Sequence, residues 1–257
     1  MIISEKHNFL FLHVPKTGGT TAEAALSPVL SETDTIPLRS QMQIRRLEDG
    51  AVGRRPNVRP EGLSDAAWLK RHRTPQFLQN ITRAEPGVDH LTKHSDVEAV
   101  KAFFTPEFYD RAVKCIFVRH PYERTYSAYR FKMTKSKTSD PLYEALFPNG
   151  QPIGFDAFLT SGLWRRVLAA RPQFHWFDAT AANTAVYKTS DMGQALHEIA
   201  ETHLALPPEQ VAQVDAVLQE GRKNVSTRPD EWRSMSAAAR KMIDEIYSKD
   251  FELFGFE

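Results

Sequence analysis

One cysteine, Cys115, stands in a chain of 257 residues, so no disulfide can form within it and the sequence fits a reducing compartment. Cys115 lies inside an apolar run, where a thiol is inert packing. No apolar run approaches the ~20 residues that span a bilayer, and the first residues lack the charged-then-apolar order of a secretory leader. The expectation is a cytoplasmic protein with no membrane contact. A net charge of +1 removes any general electrostatic case for nucleic acid, so an acidic partner would have to meet a local patch. Closely spaced His, Cys or paired carboxylates are also missing, and no metal site is expected. Internal repeats and low-complexity tracts are absent. The length suits one large domain, or a core with an insertion.

What is present begins at Phe9-Leu-Phe-Leu-His-Val-Pro-Lys-Thr-Gly-Gly-Thr-Thr21. Phe9 to Val14 is the kind of short apolar run that fills the centre of a parallel sheet, and Pro15 ends it by removing a ladder donor. Gly18 and Gly19 let the backbone take positive φ and bring its N–H groups close to a ligand, and Thr20 or Thr21 can cap a helix through Leu26. Free N–H groups at a helix start, two hydroxyls and Lys16 make an anion site, most naturally for phosphate. An ordinary strand-turn-helix with a solvated Lys is the plainer alternative. The order differs from the nucleotide-triphosphatase loop, in which the Lys follows the glycines and the next hydroxyl holds magnesium.

A second strand, Ala112-Val-Lys-Cys-Ile-Phe-Val118, runs into Arg119-His-Pro-Tyr-Glu-Arg-Thr-Tyr-Ser127. Pro121 suits the first turn of a helix, which leaves Arg119 on the loop and puts Ser127 about two turns in. Arg119 offers a fork of donors to a phosphate, and Ser127 adds a hydroxyl. Between the two strands, His90-Leu-Thr-Lys-His94 reads as a short strand, and Ser95-Asp-Val-Glu98 as a capping box that opens a helix. His94 then projects from a strand-to-helix junction at the sheet end that carries the first loop. A neutral imidazole there can take a proton from an alcohol. His90 is its competitor, and a packing or surface histidine is the plain alternative for either.

The two loops together resemble those of sulfotransferases that use 3′-phosphoadenosine 5′-phosphosulfate, in the branch of carbohydrate O-sulfotransferases and their bacterial relatives. Pro15-Lys-Thr-Gly-Gly-Thr-Thr21 is similar to that family's 5′-phosphosulfate loop, which implies donor binding by Lys16, Thr17, Gly18, Gly19, Thr20 and Thr21. Val118-Arg-His-Pro-Tyr-Glu-Arg-Thr-Tyr-Ser127 is similar to its 3′-phosphate motif, which implies that Arg119 and Ser127 bind that phosphate. His120 departs from the usual Asn or Asp but lies between the ligands, and Arg124 is expected to pair within the helix region. The family places a histidine base between the two motifs, and Lys93-His94 matches that placement. Related animal enzymes are usually Golgi proteins with a membrane anchor; its absence is expected of a bacterial enzyme or of a chain trimmed of one.

The resemblance continues at Arg222-Lys-Asn-Val-Ser-Thr-Arg228, similar to a late loop that closes over the nucleotide, and at the ending Tyr247-x-x-Asp250-x-x-x-Phe254-Gly255. Pro172-Gln173 before His175 scrambles an acceptor-cleft segment of the family, so Phe174, Trp176 and Phe177 are expected to pack in the core. Residues 31–87 fall outside the resemblance and read as a less regular insertion with short helices. Between Arg45 and Arg83, Lys and Arg outnumber Asp and Glu nine to four, which suggests either a solvated surface or a rim that attracts an anionic acceptor.

The expected fold is a three-layer α/β, nucleoside-kinase-like (P-loop-like) parallel sheet with helices on both faces, a single sulfotransferase domain over residues 1–257. The implied reaction moves a sulfuryl group in line from the nucleotide donor, without a metal, to a hydroxyl of a carbohydrate or small metabolite, anionic ones included. His94 serves as base and Lys16 stabilises the leaving phosphate. A phosphotransferase on a similar sheet and a non-catalytic nucleotide or anionic-glycan binder are the alternatives.

Overall fold

The computed structural model describes residues 1–30, 34, 91–219 and 231–257. Most of the basic insertion, His90 and the late loop at 222–228 lie outside the described residues. Among the described residues, four strands form one sheet in the order β1 (Ile2–Ser4), β2 (Phe9–Leu12), β3 (Val113–Val118), β4 (Thr184–Lys188). The described helices are α1 (Gly19–Leu26), α2 (Val97–Phe103), α3 (Pro106–Arg111), α4 (Pro121–Lys135), α5 (Tyr143–Leu146), α6 (Phe155–Thr160), α7 (Met192–Glu198), α8 (Pro208–Gln219), α9 (Ala237–Ile246) and α10 (Ser248–Phe254). None is long and apolar enough to cross a membrane.

β2 and β3 are adjacent and parallel, with Phe9 opposite Val113 and Leu12 opposite Ile116, as the two apolar runs imply. β1 pairs antiparallel with β2 through a short turn, where Asn8 takes φ 47, a conformation Asn tolerates better than most residues. The sequence reading did not anticipate that edge strand.

Two compact units divide the chain. The first comprises the described parts of Met1–Val14, Gly18–Phe117 and His175–Lys223, and holds the sheet. Strand alternation decides its layers. Odd-numbered Phe9, Phe11, Cys115 and Phe117 share a core with Ala22, Ala25 and Leu26 of α1, Ala195 and Leu196 of α7, and Val211 and Val214 of α8. Even-numbered Lys114 points the other way, where its ammonium bonds the Tyr109 carbonyl of α3 at 2.6 Å. Helices therefore cover both faces, and the sheet is the middle of three layers. Fully burying Phe9, Phe11 and Phe117 is worth about 1.5–3 kcal/mol each. Burial also pushes the Cys115 thiol far up, in keeping with a packing role.

The second unit comprises Pro15–Thr17, Val118–Phe174 and the described part of Asn224–Glu257. α4 crosses a core of Leu146, Phe158, Leu159, Ile243 and Tyr247 contributed by α5, α6, α9 and the turn before α10. The aromatic segment divides: half-buried Phe174 belongs to this unit, whereas wholly buried Trp176 and half-buried Phe177 belong to the first.

Candidate functional site

The first loop closes differently from the capped helix its threonines suggest. α1 begins at Gly19 with Gly18 as N-cap, no side chain caps it, and its first turn holds no acidic residue. Thr20 and Thr21 sit inside that turn, with the Thr21 amide bonded to the Gly18 carbonyl at 2.8 Å. A helix start without a capping side chain leaves its amides to an anion. The glycines also do separate jobs. Gly18 takes φ 82, the left-handed value expected of both, whereas Gly19 is required by space, because a Cβ there would lie 2.4 Å from the His13 ring. Left-handed backbone occurs instead at Lys16, φ 69, where a side chain makes it costly.

The second unit joins the second motif to the first residues of the other, Pro15 to Thr17. Arg124 is fully buried, and its Nε donates to the Pro15 carbonyl at 2.9 Å, so it does not pair within its own helix as the sequence suggests. The Lys16 ammonium lies 4.4 Å from the centroid of Phe131, a ring otherwise 40% exposed. Residues 124, 127 and 131 are spaced three and four apart, so Arg124, Ser127 and Phe131 share one face of α4. That face grips Pro15 and Lys16 at two points, and Ser127 stands between them.

Arg119 is held at the start of the same helix. The Gln173 amide accepts from its main-chain N–H at 2.8 Å and donates to its carbonyl at 2.9 Å. Buried Asp250 in turn accepts from the amides of Gln173 and Phe174 at 2.8 and 2.9 Å. Burial raises the Asp250 pKa against the pull of those amides and of Arg124. The Arg119 guanidinium meets Glu123 at 3.1 Å, a pairing one turn apart that leaves its terminal nitrogens as further donors. His120 is the N-cap of α4, accepting from the Tyr122 amide at 3.4 Å. Accepting that bond is what Asn or Asp does at a cap, so the departure from the usual motif keeps the local job. The other ring nitrogen, Nε2, donates to the Glu257 carbonyl at 2.9 Å.

His94 belongs to the first unit. Over the described residues 91–94 no strand forms: Thr92 starts a turn, its amide bonded to the Ser95 hydroxyl at 2.9 Å. The helix cap falls one residue later than the capping-box reading, with Asp96 accepting from Ala99 at 3.0 Å. Ser95 is diverted to the turn, which explains the shift. His94 Nδ1 lies 2.9 Å from the His13 carbonyl, which can only accept, so Nδ1 carries the proton and Nε2 keeps its lone pair. Burial lowers the His94 pKa to about 4, although the bond to His13 opposes the shift, so the ring is uncharged near neutral pH. Trp176 Nε1 donates to the His94 carbonyl at 3.2 Å and fixes the turn from the other side.

Behind His94 lies a charge cluster that the sequence reading missed. Glu23 of α1 accepts from the Met1 ammonium, from the Lys93 ammonium and, at 2.7 Å, from His13 Nδ1. Burial alone would raise the Glu23 pKa, but those partners outweigh it and hold the carboxylate ionised far below its usual range. Desolvation likewise keeps His13 neutral. A polar residue after four apolar ones, and a lone acid on an alanine-rich helix, are the weak signals that could have marked His13 and Glu23.

A family model described as the sulfotransferase family matches residues 1–257. The chain belongs to the sulfotransferase family. No curated protein and no solved structure matches it. This sulfotransferase has the P-loop-like α/β fold of its family, and it is an enzyme that transfers a sulfuryl group to an acceptor. The family generally draws that group from 3′-phosphoadenosine 5′-phosphosulfate. The chemistry of the residues present suits such a donor: Lys16, the Arg119 fork and Ser127 in the second unit, and the uncapped start of α1 in the first, all supply donors of the kind that anionic oxygens accept.

Proposed function

We propose that this sulfotransferase takes 3′-phosphoadenosine 5′-phosphosulfate as donor and sulfates a hydroxyl of a carbohydrate or small metabolite. Lys16, the N–H groups of Thr17 to Thr20 and the hydroxyls of Thr20 and Thr21 bind the 5′ side. Arg119 and Ser127 hold the 3′-phosphate. The observation that carries this reading is the grip of α4 on the first loop, through Arg124 on Pro15 and Phe131 on Lys16. It ties Pro15 and Lys16 to the helix that carries Ser127, within the second unit, which a chance pair of phosphate-like loops would not require.

When bound, the donor supplies an activated sulfuryl group on a phosphate leaving group. Lys16 and the start of α1 stabilise the charge that grows on that phosphate. His94 Nε2 takes the acceptor's proton as its oxygen closes on sulfur. With Nδ1 already committed to the His13 carbonyl, Nε2 is the nitrogen left to do so. We assign catalysis to the residues above with no metal, and location to the cytoplasm.

Calorimetry tests the donor assignment. 3′-Phosphoadenosine 5′-phosphate should bind far more tightly than 5′-AMP, since removing the 3′-phosphate strands Arg119. Equal affinities would remove the basis for assigning Arg119 and Ser127.

A further inference from the structure

Glu23 has no part in the proposed function, yet three partners converge on its carboxylate inside the fold. It holds the ring of His13, whose carbonyl receives the His94 Nδ1 proton, and the ammonium of Lys93, the residue next to His94. Lys93 extends the link to the Thr20 hydroxyl at 3.5 Å. The His13 and His94 rings meet edge to face with centroids 4.5 Å apart, and Gly19 leaves the space His13 needs. A single carboxylate thus fixes both supports of His94.

We propose that Glu23 is a positioning residue for the reaction: through His13 and Lys93 it holds His94 in the Nδ1–H tautomer, with Nε2 as the basic nitrogen. This rests on His94 being the base. Charge argues the same way. The groups that act on His94 are His13, Lys93, the Met1 ammonium and Glu23, and Glu23 is the acid among them. Glu23→Gln would leave two cations beside a ring that must become positive as it accepts the proton. It would also leave one acceptor oxygen where His13 and Lys93 now use two.

The expected result for Glu23→Gln is a fall in kcat of about 100-fold, the scale of a misplaced reacting group, with donor KM and product-nucleotide affinity unchanged. A merely structural role would not move the second readout, nitrogen-15 NMR of the histidine rings. Wild-type His94 should show one protonated Nδ1 and one bare Nε2, and Glu23→Gln should mix the tautomers. Removing one member of a buried pair can unfold a protein, so Glu23→Gln/Lys93→Met, which removes both charges of that pair and leaves the Met1 ammonium the amide oxygen, carries the test if the single variant does not fold. A folded double variant with wild-type kcat and a single His94 tautomer overturns the proposal. Failure of the underlying reading looks different: His94→Ala would turn over normally, whatever Glu23→Gln does to the ring signals.

Discussion

Gln173 holds Arg119 by both of its main-chain groups, accepting from the N–H at 2.8 Å and donating to the carbonyl at 2.9 Å. A side-chain amide used this way does the work of a strand neighbour at a point where no strand continues. It fixes the backbone from which the Arg119 fork projects, and Asp250 fixes Gln173 in turn. Gln173→Ala would leave the Arg119 main-chain groups without these partners, at a cost of about 1–3 kcal/mol for each group left buried and unpaired. The thermal midpoint should fall. The tenfold or greater preference for 3′-phosphoadenosine 5′-phosphate over 5′-AMP expected from a charge-assisted contact should shrink, with 5′-AMP affinity itself nearly unchanged. An unaltered preference would separate Gln173 from the 3′-phosphate site.

His94 and Lys16 should fail in different ways. Replacing His94 with Ala is expected to lower turnover by ~100 to 10,000-fold while product-nucleotide binding stays close to wild type. Lys16→Ala should damage turnover and nucleotide binding together, because the same charge meets the phosphate before and during transfer. Paired kinetics and calorimetry on the two variants check this; matching defects would contradict the division of labour.

The two glycines of the loop predict separable damage. Gly18→Ala meets the flexible end of Met192 at 2.2 Å and forces a side chain into left-handed backbone, worth roughly 1–2 kcal/mol. Gly19→Ala drives a methyl into the His13 ring at 2.4 Å, in a place with little room to yield. Shortening Met192 to Ala should relieve part of the first defect and none of the second. Gly19→Ala should also cost more turnover than Gly18→Ala, since His13 carries the carbonyl that orients His94. Melting curves and kcat for the two glycine variants, each alone and combined with Met192→Ala, settle the order.

Acid should destabilise this protein earlier than its carboxylates alone would require. In the unfolded chain a histidine ring protonates near 6.5, whereas folded His94 resists protonation down to about 4 and His13 resists it as well. The unfolded state therefore binds more protons in that window, so stability rises with pH and is lost as pH falls from about 6.5. For His94 the limit is on the order of 3 kcal/mol, reduced by the contact its half-buried ring keeps with water. Glu23 acts in the same direction at lower pH: its folded pKa is depressed, so its contribution is present above the ordinary carboxylate range and fades below it. Thermal melts between about pH 7 and 5 should show a falling midpoint, with a flatter slope in His94→Gln. A midpoint that rises on acidification would mean charged rings in the folded state.

The sequence made the central strands legible because buried parallel strands are apolar on both faces, so Phe9 to Leu12 and Val113 to Val118 stand out without any knowledge of their partners. Gly18 and the Pro121 helix start were legible for similar reasons, since both are local backbone chemistry. What could not be read were side chains whose partners lie far along the chain. Arg124 reaches back 109 residues to Pro15, and Gln173 and Asp250 are 77 apart. Thr20 and Ser95 misled because a hydroxyl near a helix start suggests a cap. The real cap is set by where the backbone turns, at Gly18 in one case and Asp96 in the other. His13 and Glu23 stayed hidden because burial, which gives them their importance, is not a property of either residue alone.

Lys16 stands at φ 69, a conformation in which glycine would be at ease and a lysine is strained. Folding by itself therefore favours losing this side chain. The loop sacrifices a measure of its own conformational comfort to present an ammonium at that point, and the cost falls in the segment that α4 grips through Arg124 and Phe131. Substitutions that make residue 16 more comfortable, such as Lys16→Gly, would be expected to harden the protein while disarming it. At this residue, resistance to heat and the ability to transfer a group are opposing demands.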